Sequence, residues 1–267
     1  MAKVLNENRE LCELKCEPYK KMINEANERE KQSLASIEKN PAGAEYKKLD
    51  LCTEMIGIAT YYITINNLTV EFVNTKDNDA LNNARKTIYK AIIYLEEVVS
   101  ATVDAVQTDM EEKLAKIQQA SVEKRFYLIR KLGLVIDLLI EAFGDNSKWK
   151  ESFVELNGRF ATVAKNLLDL KSAIKDSYDH NSPNHETSIL YIRLIRRLYD
   201  TSATAYRDRY ELTTHRIDDM RLAIQFLSGA RRIAIALGES EEAEEIKKKG
   251  GVWKQKVEAD QKKGIAR

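Results

Sequence analysis

Cys12 and Cys16 stand four residues apart, a spacing that sets both thiols on one face of a helix. Two thiolates so placed can share a metal ion, with Cys52 as a third ligand from the next helix. Against this, cysteine is a small and often buried apolar residue, and zinc sites favour tighter Cys-x-x-Cys pairs. The expectation is therefore no metal and no cofactor. Histidine is scarce. His180 and His185 flank a Ser182-Pro183 break, where loop or cap positions are expected, and His215 follows Glu211 by four. A carboxylate-bridged di-iron bundle needs two Glu-x-x-His pairs, and the sequence holds neither. The glycine-rich phosphate loops, the Gly-x-Ser-x-Gly elbow and His-Glu-x-x-His are all missing. Asp137, inside the most apolar stretch, Leu132 to Phe143, is the best candidate for a perturbed carboxylate. An enzyme would have to be built on Asp137 and the thiols alone, so the reading leans away from catalysis.

The arginines are unevenly placed. Of 16 in the chain, nine fall between residues 193 and 232, a window without lysine: Arg193, Arg196, Arg197, Arg207, Arg209, Arg216, Arg221, Arg231 and Arg232. The guanidinium fork suits carboxylate or phosphate, and Tyr191, Tyr199, Tyr206 and Tyr210 are interleaved as stacking partners. Five acidic residues in the same window, from Asp200 to Asp219, hold its net charge to +4. Nucleic-acid surfaces are more basic than that, so salt bridges within the protein or to a protein partner are preferred. Arg196, Arg197, Tyr199, Tyr206, Arg207, Arg209 and Tyr210 are the expected partner-binding residues, since arginine and aromatic side chains dominate interface energetics. Burial in the protein's own core is the competing reading for the tyrosines.

These residues must be carried by helices. The 267 residues include only 10 Gly and 3 Pro, with 43% apolar and 32% charged residues, which excludes disorder and loop-rich β folds. A net charge of +1 removes any global case for nucleic acid or acidic membranes. The opening segment lacks the apolar core of a secretory signal, and no stretch is apolar enough to span a bilayer. With three cysteines, an odd number, the expected setting is cytoplasmic.

Trp149, Phe153, Leu156, Phe160, Val163, Leu167, Leu170 and Ile174 form one helical stripe over residues 146–179. Residues 184–228 hold no Gly or Pro, and their apolar spacing alternates between 4 and 3, as in a coiled coil. A helix of about 45 residues would be nearly 70 Å long, so either it breaks or the molecule is elongated. Residues 60–73 are β-branched and could form a hairpin, but without a partner sheet a helix is favoured. Pro18 is expected in the first turn of a helix ending near Lys39. Thr108 to Glu111 reads as a capping box, and Gly144 to Ser147 as a stop followed by a cap. Ser240 to Lys249, closed by Gly250-Gly251, reads as a short surface helix whose charges complement its dipole.

The expectation is thus all-α: an elongated bundle of five or six long antiparallel helices over residues 1–238, then a short charged helix and Lys-rich tail over 239–267. Breaks are placed near 40–43, 76–79, 107–108, 144–147 and 180–184. The expected function is structural or interactional: self-association or scaffolding of a protein partner through heptad-like faces and the Arg/Tyr-rich helix. The alternative is a nucleic-acid or phosphate-binding protein using the arginines of 193–232.

Overall fold

The computed structural model describes residues 2–105, 107–144 and 148–266. The described residues are helical with no strand, and they form ten α-helices. The chain divides into two units, one built of residues 1–98 and 127–148, the other of 99–126 and 149–267.

In the first unit, α1 (Ala2–Lys39), α2 (Ala44–Val73) and α3 (Asn78–Val98) run antiparallel in sequence, with α2 packed against both neighbours. The 60–73 stretch is the C-terminal half of α2. Its β-branched residues lie inside a helix because Ile63 and Ile65 are buried, and Thr60, Thr64 and Thr69 each turn their hydroxyl onto a carbonyl four residues back. α1 corrects the Pro18 expectation, since the helix begins at Ala2 and Pro18 lies inside it. Leu14, whose carbonyl loses its partner, and Pro18 are both exposed, so the defect faces solvent and not the core. Burial of Cys16, Ile23 and Ala26 holds the helix on both sides of the defect. A polar anchor ties α1 to α3: buried Glu30 accepts hydrogen bonds from the Tyr94 hydroxyl and from Lys90 Nζ.

α4 (Gln107–Ala115) begins one residue before the expected capping box, so Thr108 lies inside the helix with its hydroxyl directed at Asp109. α5 (Val122–Phe143) ends at Gly144, which adopts positive φ as a stop requires. Asp145, Asn146 and Ser147, read as the following cap, lie outside the described residues.

Residues 127–143 of α5 belong to the first unit, and the second holds α4, the start of α5, α6 (Lys150–Asn166), α7 (Leu170–Tyr178), α8 (His185–Arg209), α9 (Ile217–Ala236) and α10 (Ser240–Lys262). α8 packs against α6, α7 and α9, and α10 packs on α9. The stripe over 146–179 is two helices, because Asp169 caps α7 by accepting from the Ser172 amide at 3.2 Å. The long helix expected over 184–228 breaks at a π-helical turn, Tyr210–Thr214, followed by His215 at φ 51°. Buried Asp219 holds that corner, taking the Arg209 guanidinium and, at 2.6 Å, the Thr214 hydroxyl. α10 runs through Gly250-Gly251 instead of ending there. Trp253 and Asp260, both buried, anchor its second half, which offsets a propensity cost of about 1 kcal/mol per glycine.

Candidate functional site

The residues singled out by type lie on α8 and its π turn, and most are occupied within the chain. Tyr199, Tyr206 and Tyr210 are buried in one cluster with Phe226 and Trp253. The Tyr199 hydroxyl donates to the Val103 carbonyl at 2.8 Å and its ring meets Phe226 edge-on. Tyr206 stacks on Phe226, and the Arg209 guanidinium lies 4.8 Å from the Tyr206 ring centre. Tyr210 donates to Asp260 Oδ2 at 3.0 Å. Burial, then the Asp260 carboxylate, pushes the Tyr210 hydroxyl up to about 12. The tyrosines are therefore core residues, the reading that competed with their use as contact anchors.

Eight of the nine arginines separate into two groups, and Arg231 is half-buried. Arg196 forks onto Glu239 and Glu242, the latter at 2.5 Å. Arg207 pairs with its neighbour Asp208 and lies 5.6 Å from the Trp253 ring centre. Arg209 pairs with Asp219, Arg221 with Asp218 and Arg232 with Asp104. Five of the nine thus make ion pairs among the described residues. Arg193, Arg197 and Arg216 are exposed and make none among the described residues. Of the seven chosen residues, only Arg197 offers an exposed and unengaged side chain.

The thiols do not assemble a metal centre. Cys12 Sγ lies 4.0 Å from Cys16 Sγ and 3.9 Å from the Thr69 hydroxyl. Cys52 lies 17 positions before Thr69 on the same helix, about 25 Å away at the standard rise. It is fully buried, which raises its pKa, and burial also raises Cys16 to about 11. No group of three or more His, Cys, Asp or Glu among the described residues is placed to hold an ion. His180 Nδ1 and His185 Nε2 lie 3.1 Å apart, a hydrogen-bonded pair closing the α7–α8 loop. Asp137, the candidate for a perturbed carboxylate, lies on the exposed face of α5 and so lacks the burial that such a role would need.

That exposed face of α5 is what residue types alone did not reveal. Leu128, Ile129, Leu132, Val135, Ile136 and Leu139 are buried on one side. On the other, Tyr127, Leu134 and Leu138 are 50%, 58% and 37% exposed, with Lys131 and Glu141 exposed beside them. A stretch apolar all round reads only as "most hydrophobic". The available signal was the spacing Lys131-Leu134-Leu138-Glu141, which is 3, 4, 3 and reads the same in both directions.

No helix among the described residues is long and apolar enough to cross a membrane. No curated protein and no solved structure matches the chain. Residues 8–261 match the model of the TP0443 family, nearly the whole length, and the chain belongs to that family.

Proposed function

We propose that this is a non-enzymatic interaction protein that self-associates through the exposed face of α5. The observation that carries the reading is the self-complementary order Lys131-Leu134-Leu138-Glu141 on exposed positions. Two copies of α5 crossing antiparallel about a two-fold axis between Leu134 and Leu138 set each Leu134 against the other copy's Leu138. The same register sets each Lys131 against the other copy's Glu141. Both leucine layers and both ion pairs are then equivalent, as an isologous contact requires. The contact is small, below the ~1,200 Å² of a standard interface, so weak dimerisation with a dissociation constant on the order of 10–100 μM is expected. This keeps the scaffold reading and moves its contact surface from the Arg/Tyr helix to α5. The nucleic-acid alternative has less support, because five of the nine arginines are already paired and the exposed ones do not form a dense stripe.

The test is sedimentation velocity from 1 to about 500 μM at low and high salt. Leu134→Glu should leave a monomer with unchanged circular dichroism. Lys131→Glu and Glu141→Lys should each weaken the dimer, and the two together should restore it, because the pair is then exchanged and not removed. A monomer at every concentration overturns the reading. A dimer that Leu134→Glu leaves untouched also overturns it, and a monomer carrying 260 nm absorbance would turn attention to Arg193, Arg197 and Arg216.

A further inference from the structure

A cleft of about 300 Å³ opens in the second unit between the 99–105 segment, α4, the end of α6 and α9. Its walls are apolar: Met110 and Leu114 from α4, Leu168 after α6, and Ile233 from α9. Five charged residues line it, and three of them act on one another. Arg232 Nη2 and Asp104 Oδ2 are paired at 3.0 Å, which spends the Asp104 charge. Lys165, in the last turn of α6, is not spent: among the described residues its ammonium makes one hydrogen bond, a 3.5 Å contact to the Ala105 carbonyl. An ammonium has three donors, and 3.5 Å is beyond the ordinary range for such a bond. Most of the donor capacity of a half-buried cation that lines the cleft is therefore unused among the described residues.

The cleft is also firmly built. Asn166 donates to the Ser100 and Thr102 carbonyls at 3.0 and 3.1 Å, and Tyr199 donates to the Val103 carbonyl. The segment that leads into Asp104 and Ala105 is thus pinned from α6 and from α8 just before the Lys165 contact. A preformed apolar cavity with few convergent polar groups is the usual form of a small-molecule site.

We propose that this cleft binds a small apolar molecule bearing one carboxylate, its head accepting hydrogen bonds from Lys165 and its body lying along Met110, Leu114, Leu168 and Ile233. The charge balance selects a monoanion. The charges that act on Lys165 are Asp104 and Arg232, so the three sum to one positive charge; Glu111 and Asp169 line the cleft farther from the ammonium and would repel the additional charge of a phosphate ester or a polyanion. A single carboxylate needs one ammonium and adds the short charge-assisted bonds that Lys165 now lacks. Burial already lowers the Lys165 pKa, opposed by Asp104 and assisted by Arg232. A bound carboxylate stabilises the charged form, so affinity should fall with rising pH at lower values than for an exposed lysine.

The test is calorimetric titration of the full chain with octanoate, octanol and octylamine. Octanoate should bind in the micromolar to millimolar range, octanol at least tenfold more weakly, and octylamine not measurably. Lys165→Met, which keeps the length and apolar stem, should bring octanoate down to the level of octanol with the thermal melt unchanged. Ala236→Trp, at an exposed position on the rim of the cleft, should abolish binding whatever the head group. Equal affinity for octanoate and octanol, octanoate binding that survives Lys165→Met, or no binding by any of the three would each overturn the proposal.

Discussion

Replacing Gly229 with alanine tests the geometry at the centre of the second unit. A methyl group at Gly229 would lie 2.4 Å from Tyr199 Cε1 and 2.9 Å from its Cδ1. Ordinary carbon contacts begin at ~3.5 Å, so the ring must retreat by about 1 Å. It has nowhere to go: Tyr199 is completely buried, packs edge-on against Phe226 and donates to the Val103 carbonyl at 2.8 Å. A 1 Å retreat would stretch that bond past its useful length. Overpacking costs about 1–3 kcal/mol and a lost buried hydrogen bond about 1 kcal/mol more. The better helix propensity of alanine returns about 1 kcal/mol, leaving a net loss of about 2 kcal/mol. Urea unfolding followed by tryptophan fluorescence reads this unit specifically, because both tryptophans, Trp149 and Trp253, belong to it. Gly251→Ala is the control, an exposed helical glycine with open space at its Cβ, and should be neutral or stabilising by up to about 1 kcal/mol. In a double-mutant cycle with Tyr199→Ala, the Gly229→Ala penalty should largely vanish, a coupling of about 2 kcal/mol. If Gly229→Ala stabilises as Gly251→Ala does, α8 and α9 do not approach this closely.

Other expectations rest on separate contacts. Asp219→Ala leaves the mostly buried Arg209 guanidinium unpaired and frees the corner after the π turn; it should cost about 3–5 kcal/mol in the same urea assay. Tyr210 keeps its proton up to about pH 12 when folded and only to its ordinary 10 when unfolded. Its contribution to stability is therefore complete below pH 10 and is lost as pH rises from 10 towards 12. Melting temperatures across that window should fall less steeply in Tyr210→Phe than in the parent. Cys12, Cys16 and Cys52 are all buried and free, so a thiol reagent at pH 8 should label them slowly in the native chain and at once, all three, in denaturant. Rapid native labelling of Cys52, which has no exposed surface, would contradict the packing of α2.

What could be read from the sequence divides along the range of the interactions involved. Helix content, the breaks near Pro41 and Pro183 and the stop at Gly144 follow from composition and from residues within a turn of one another. The misplaced boundaries were of two kinds. Asp169-Leu170-Lys171-Ser172 carried a local cap signal that the longer stripe of apolar spacing concealed. The continuation of α10 through Gly250-Gly251 carried no local signal at all, because it depends on Trp253 and on Asp260 meeting Tyr210, fifty positions away. Periodicity reports which face is apolar, not how many turns the face persists. That is why five or six long helices were expected where ten occur among the described residues.

The candidate sites follow the same division, and it bears on how functional residues are chosen from types. Arginine abundance on α8 drew attention correctly to an unusual segment, yet availability of a guanidinium is decided by its partners. Glu239 and Glu242 lie 43 and 46 residues from Arg196, and Asp104 is farther still from Arg232. A carboxylate that far along the chain cannot be assigned to an arginine by spacing, so a paired structural arginine and a free binding one look alike in sequence. Lys165 is the converse case. Nothing about Lys165-Asn166 attracts notice in the sequence, and its distinction is wholly relational: a cation in the last turn of α6 whose nearest carboxylate is spent on Arg232 and whose own bond is long. The α5 face lies between these extremes, since Lys131-Leu134-Leu138-Glu141 is a local pattern whose meaning depends on which side of the helix is covered. Chemistry that depends on an unspent group is therefore found by asking of each buried or half-buried charge what it already holds, a question that brings out Lys165 where residue type passed it over.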